Sequence, residues 1–354
     1  MDPLIRCELD YFESRYLNLI YDGFSKLKER KVIDLIVKRS TENKDPFHPV
    51  LSAIINNKKV IYDLQDGLNW IPGNLEENLK FFQKKYEVDF YFKRSFNHQL
   101  LQYAPKGCRV LPLGLNFFIK YDRSLYYANI KTKITDAIKE NKFLAKPLKI
   151  NNHSFAIEDY EYYPLVTPKP KILFLTRLWN PDEVSLPHLK EEREIINRTR
   201  VECIEACRKE FGAIFTGGLQ RDEFSLKYAP SLVVPSSLTN KSNFLQATKE
   251  HAICISTAGL LNSIGWKFGE YVTASRAIVS EPLAYDLPGD FLEGKNFLPF
   301  SNTTQLLEHI RYLLTNRDAL LQMMKANFHY YNNYVKPENQ MLNTLLHIVE
   351  DPIS

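Results

Sequence analysis

Short apolar runs of strand length alternate with stretches of helical spacing along most of the chain. In the first third, residues 16–27 carry apolar positions at helical intervals, and 33–37 form an apolar run of strand length. Residues 51–64 read as two β runs around Asn56-Asn57, a pair suited to a hairpin turn. Residues 74–85 are helical, opened by Asn74 with Glu77 three places on, the pairing of a capping box. A strand at 88–92, a helix at 96–103 and a strand at 109–113 complete the alternation. Such a pattern predicts an α/β sheet with mainly parallel strands.

The alternation lapses after residue 117. A basic helical stretch at 130–143 is followed by the acidic, tyrosine-rich run FAIEDYEYYP and then by Thr167-Pro168-Lys169-Pro170. The prolines disfavour helix and bound the next strand. The domain boundary is therefore expected near Thr167. That gives an N-terminal domain over 1–166, with 117–166 as insertion or linker, and a C-terminal domain over 167–354. The second domain reads as a strand at 172–175, a long helix at 193–211, a strand at 213–216 ending in Gly217-Gly218, and a helix at 242–249. Strands at 253–256, 277–280 and 297–300 follow, then helices at 303–314, 319–331 and 337–349. No repeats or low-complexity segments interrupt it.

Length fits two domains, at about 100–200 residues per domain. The net charge of +4, from 46 basic and 42 acidic residues, is a mild excess. No basic stripe with interleaved aromatics is present, so a nucleic-acid partner is not expected. The five cysteines, Cys7, Cys108, Cys203, Cys207 and Cys254, form no C-x-x-C pair and fit a reducing compartment. Cys203 and Cys207 stand one helical turn apart and are expected to face a core. The histidines do not cluster with cysteines, so no zinc site is expected. No apolar leader opens the chain, and no stretch approaches the ~20 apolar residues of a membrane span. A cytoplasmic location is expected, with any membrane association limited to peripheral contact at the inner face.

The richest chemistry lies at 253–282. Residues 253–256 form a short apolar run, 257–264 a loop of small and polar residues, 265–275 a helix and 277–280 a second strand. Asn262 and Ser263 are expected where the helix begins, with Ile264 and Gly265 beside them, so backbone N–H groups face the loop and form an anion site. Glu270 is expected about two turns along, where a carboxylate accepts hydrogen bonds from a sugar diol. Phosphate at the helix start and ribose at the carboxylate together point to a nucleotide.

This segment, and GEYVTASRAIVS above all, resembles the donor-binding signature of the GT-B glycosyltransferases, a glutamate, seven residues and a second glutamate. The resemblance implies two Rossmann-like domains facing a central cleft and puts Glu270 on the ribose-binding position. The first glutamate falls on Asn262, an uncharged departure that leaves retaining and inverting transfer both open. RVLPLGLN resembles the strand and turn closing the first domain of such enzymes, with Asn116 at the cleft. The resemblance covers the C-terminal half specifically and the N-terminal half in outline.

Other candidates follow from sheet edges. Arg177 ends the strand ILFLTR, where open α/β sheets bind ligands. In the family an Arg at that place and a nearby Lys grip the diphosphate. Here Asp182 stands at the lysine position, leaving Lys190, Arg193, Arg198 or Arg200 as substitutes. Gly217-Gly218 admit close backbone approach, against the plainer reading of a turn. Thr257 and Ser256, beside Gly259, line the expected donor pocket or bond locally within the loop. In the first domain Asp66 is the candidate general base, against ordinary Asp-Gly turn chemistry. Lys93, with Arg94, would attract donor phosphate or an acidic acceptor, against the reading of exposed cations. With no D-x-D after a strand, no metal and no further cofactor are expected, and the helix start and cations would hold the leaving charge. The implied activity is transfer of a sugar from a nucleoside-diphosphate sugar to a glycan or lipid-linked acceptor, in surface polysaccharide or glycoconjugate synthesis. The alternatives are a nucleotide-sugar epimerase of the same fold and a non-catalytic binding or scaffold protein.

Overall fold

The computed structural model describes residues 5–42, 44–126 and 155–350. The helical stretch expected at 130–143 lies outside the described residues. Contacts divide the chain into two units, Met1–Asp159 with Tyr334–Ser354, and Tyr160–Asn333. The division therefore falls at Tyr160 rather than near Thr167. Residues 160–167 are tied to the second unit by backbone carbonyls: Ser275 Oγ donates to Tyr162 O, Arg276 Nη2 to Tyr163 O and Arg317 Nη2 to Val166 O, each at 2.7 Å.

The first unit holds a six-stranded sheet of β1 (Ile5–Tyr11), β2 (Ile33–Arg39), β3 (Val50–Ile55), β4 (Lys58–Asp63), β5 (Phe90–Lys93) and β6 (Arg109–Pro112), in the order β2-β1-β3-β4-β5-β6. β1 is absent from the sequence expectation, yet Cys7, Leu9 and Tyr11 are buried while Arg6, Glu8 and Asp10 between them are not, the period of a strand. β3 runs antiparallel to both neighbours, a departure from the expected parallel pattern. Its cause is the hairpin at Asn56 and Asn57, with φ of 46° and 68°, the pair of left-handed residues a tight β-turn demands. Asn74 and Glu77 form the expected capping box on helix Leu75–Lys85. The helix expected at 96–103 shrinks to Gln99–Gln102.

The C-terminal helix Pro337–Val349 packs into this first unit, where Met341, Leu345 and Ile348 join the core of Leu9, Tyr62 and Phe92. Tyr62 Oη and Thr344 Oγ1 share a buried hydrogen bond of 3.0 Å. Gly23, on helix Asn18–Glu29, lets the two helices meet: a Cβ there would lie 2.3 Å from the Pro337 carbonyl oxygen.

The second unit is wholly parallel: β7 (Ile172–Thr176), β8 (Phe215–Leu219), β9 (Ile253–Ser256), β10 (Ala277–Ser280) and β11 (Leu298–Pro299), in the order β11-β10-β9-β7-β8. Counted from β7, this is the doubly wound order 2-1-3-4-5, whose chain direction switches between β7 and β9. Helix Pro187–Phe211 opens on a proline that needs no N–H partner and ends at Gly212, φ 50°. Its Cys203 and Cys207 face the core as expected. Both units are thus parallel-rich α/β structures of Rossmann-like construction. No helix among the described residues is long and apolar enough to cross a membrane.

Candidate functional site

Ligands of open parallel sheets bind outside the carboxyl ends of the strands at the switch point. Here those ends are Thr176, followed by Arg177, and Ser256, followed by Thr257. Arg200, buried on helix Pro187–Phe211, stitches the two loops. Its Nε donates to Thr257 Oγ1 at 3.0 Å, Nη1 to Arg177 O at 2.6 Å and Nη2 to Ala258 O at 3.0 Å. Of the four substitutes for the missing lysine, Arg200 bonds to both loops, while Arg193 lies 5.8 Å over the Trp179 ring and pairs with Glu183. Burial, and then Arg177, pull its pKa down to about 10, with Glu281 opposing. Arg177 itself is exposed, its guanidinium 3.6 Å above the Trp179 ring.

Beyond Thr257 the loop closes on itself. Gly259 N donates to Ser263 O at 2.9 Å, and a Cβ on Gly259 would meet Ser263 Oγ at 2.6 Å. Ser263 and Ile264 are buried. Asn262 is not at the helix start. It ends the 3-10 turn Leu260–Asn262, is exposed, and together with Leu261 adopts left-handed backbone, φ 53° and 56°. Each such residue costs about 1–3 kcal/mol. Glu192 Oε1 accepts the Asn262 N–H at 3.3 Å, and Tyr285 Oη donates to Leu261 O at 2.8 Å, which holds the turn.

The helix following is Trp266–Thr273, entered at Gly265 without a side-chain cap. It starts later than the sequence suggests, so Glu270 stands about one turn in rather than two. Lys267, in its first turn, donates from Nζ to the Leu175 carbonyl and sits 4.8 Å over the Phe244 ring. Burial pushes this amine down to about 7; Glu270 opposes, and Lys241, Arg200 and Arg177 push further down. Glu270 is buried and pairs with Lys241 at 2.5 Å, while its Oε2 has no hydrogen-bond partner. Glu281 Oε2 accepts the Ala258 N–H at 2.8 Å. Arg177, Arg200, Lys241 and Lys267 thus stand with three carboxylates, Glu192, Glu270 and Glu281, an edge with a small positive excess suited to an anion.

Lys267, Lys241, Glu281 and Glu192 were not among the sequence candidates. Lys267 was legible, three places before Glu270 in the signature itself. Lys241 carried no local signal, because its partner lies 29 residues away. Gly217 and Gly218 lie within β8 rather than after it. Their missing side chains are accounted for by packing, since a Cβ would meet the Phe215 ring at 2.0 Å or Val234 Cγ1 at 2.3 Å.

The first-unit candidates sit at the ends of β4, β5 and β6. Lys93 is not an exposed cation: it is 0% exposed, 3.1 Å from Asp63 Oδ2, and donates to Gln65 O at 2.8 Å. Asp63 Oδ2 also accepts from Tyr91 Oη at 2.5 Å and Trp70 Nε1 at 2.8 Å. Burial lowers the Lys93 pKa, with Asp63 opposing. Asp66 is 44% exposed and ion-paired with Arg94. Asn116 is buried; its Nδ2 donates to Tyr16 O at 3.0 Å and its Oδ1 has no partner. Among the described residues no group of three His, Cys, Asp or Glu side chains could hold a metal ion.

No family model and no curated protein matches the chain. Among solved structures, it is similar to the C-terminal domain of LpcC, a glycosyl transferase group 1 family protein from Francisella tularensis. Identity is 10%, over 50% of this chain and 97% of that one, with a TM-score of 0.34. A UDP-N-acetylglucosamine 2-epimerase shares 12% identity over 100% of this chain and 98% of its own, TM-score 0.38. Anabaena HepE, solved in complex with UDP and glucose, shares 11% over 92% and 89%, TM-score 0.34.

Proposed function

We propose that the chain is a GT-B glycosyltransferase that takes a nucleoside-diphosphate sugar on its second unit and transfers the sugar to a glycan or lipid-linked acceptor. The observation that carries this reading is the cationic edge at the β7/β9 switch point, with Glu270 in its midst. The diphosphate would lie against Arg177, Lys267 and the start of helix Trp266–Thr273, where fixed charge and helix dipole stabilise the departing diphosphate without a metal. Glu270 would accept the ribose diol. Arg200 positions the loops rather than meeting the ligand, since its donors are spent on Thr257, Arg177 and Ala258.

For an inverting transfer, Asp66 is the proposed general base toward the acceptor hydroxyl, after release from Arg94. Lys93 is not carried forward, because its ammonium is committed to Asp63 and Gln65. Incubation with UDP-, GDP-, dTDP- and CMP-sugars, reading nucleotide release with and without acceptor, tests the activity. Release from one nucleoside-diphosphate donor, lost in Glu270→Ala, supports it, and the CMP-sugar is the single-phosphate control. No release from any donor by folded protein would sink it, and the anomer formed decides between retention and inversion. A second reading, a binder without transfer, is favoured by the exposed and uncharged Asn262; binding without release would select it. An epimerase would convert donor alone.

A further inference from the structure

A cavity of about 580 Å³ opens on the second unit at the opposite edge of its sheet from the candidate site. Lys171 precedes β7, Ala252 precedes β9 and Arg276 precedes β10, so these lining residues mark the amino ends of the strands. The site described above occupies the carboxyl ends. One wall is the segment 160–167, held to the edge by Ser275, Arg276 and Arg317. Leu165, Pro168 and Tyr162 supply its apolar surface.

Its charge is one-sided. Lys169, Lys171, Lys249 and Arg276 line it against one carboxylate, Glu250, which accepts from Gln246 Nε2 at 2.8 Å. Among the described residues none of the four cations is ion-paired. Arg276 is 1% exposed, and its guanidinium is met only by backbone carbonyls, Ala274 at 2.7 Å, Lys249 at 3.4 Å and Tyr163 at 2.7 Å, and by the Tyr162 ring 5.1 Å away. A buried charge without a counter-ion is costly unless an anion joins it. The cavity volume falls within the ~300–1,000 Å³ of small-molecule sites.

We propose that this cavity binds a phosphomonoester borne on an apolar body, its head against the lysines and over the buried charge of Arg276, and its body against Leu165, Pro168 and the Tyr162 ring. A phosphomonoester brings about −1.5 to −2 charges at pH 7 and so offsets the larger part of the excess of cations. The inference stands apart from the proposed glycosyl transfer. Octyl phosphate below its micelle concentration is the soluble probe, and phosphatidylcholine vesicles containing phosphatidic acid present the same chemistry as a lipid surface. Inorganic phosphate and octanol are the head-only and body-only controls.

Calorimetry is expected to show octyl phosphate binding at least tenfold tighter than either control. Lys171→Ala/Lys249→Ala should weaken it about tenfold or more with an unchanged unfolding midpoint, and Leu165→Gln should narrow the gap to inorganic phosphate. UDP should not displace the probe. Sedimentation with the acidic vesicles, lost in the same double variant, would assign the source as lipid even where the soluble probe fails. The idea is overturned by failure of both probes, by equal binding to the double variant, or by displacement with UDP.

Discussion

Lys241 Nζ and Glu270 Oε1 lie 2.5 Å apart, yet Glu270 Oε2 is buried without a hydrogen bond. An unmet buried carboxylate oxygen usually costs on the order of 1–3 kcal/mol, so the site is poised for a donor such as a ribose hydroxyl. Thermal-shift titration with UDP, GDP, dTDP and CMP should give stabilisation with one of them, about 2.7 kcal/mol at a hundred times its Kd. Glu270→Ala should remove that shift. Lys241→Met should keep it, because the lysine holds Oε1 and leaves Oε2 open for the diol. A shift unaffected by Glu270→Ala would exclude the carboxylate from binding.

Lys267 couples the same edge to pH. Its folded pKa of about 7 lies below the ordinary 10.5. Between those values the unfolded chain binds more protons than the folded one, so this group makes stability rise with pH across that window. An arriving diphosphate favours the charged amine. Nucleotide binding near pH 8 should therefore take up close to one proton, and affinity should fall as pH rises above 7. Calorimetry in two buffers of different ionisation enthalpy measures the uptake, which Lys267→Met should abolish; equal uptake in both proteins would refute the assignment.

Asp22 supplies a stability signal of opposite slope. The buried carboxylate lies 2.9 Å from Lys26 Nζ, and burial still raises its pKa from 3.8 to about 6, with Lys26 opposing and Glu338 and Glu158 adding. The folded state holds the proton longer, so stability is lost as pH climbs through that interval. Asp22→Asn should flatten this segment of the pH profile and add on the order of 1–2 kcal/mol at pH 7. Urea midpoints at pH 4, 5, 6 and 7 would reveal it, and a profile unchanged by the substitution would disprove it.

Gly23→Ala tests the helix contact that builds the first unit. The added methyl would fall 2.3 Å from the Pro337 carbonyl and 2.6 Å from Met341 Cγ. Helix propensity favours alanine by about 0.8–1.0 kcal/mol, but overpacking costs about 1–3 kcal/mol or more. With backbone on one side the clash should win. A lowered urea midpoint is expected, and a gain in stability would show that the helices separate freely.

Elements whose determinants are local could be read from the chain. The Asn56-Asn57 hairpin, the Asn74–Glu77 capping box and the helix beginning at Pro337 each depend on a few adjacent residues, and the apolar spacing marked most strands. β1 was legible on the same ground, because Arg6, Glu8 and Asp10 alternate strictly with Cys7, Leu9 and Tyr11. The order of strands, and with it the meeting of Arg177 and Thr257 at a switch point, follows from pairing across scores of residues, which periodicity does not encode. Burial decided the candidates in the same way. Lys93 and Arg177 look alike at the ends of apolar runs, but only the folded sheet encloses the first with Asp63 and leaves the second on the surface. Residue spacing within one helix singled out Glu270 as a candidate, whereas its pairing with Lys241 required the tertiary structure that brings helix Lys241–Glu250 beside it.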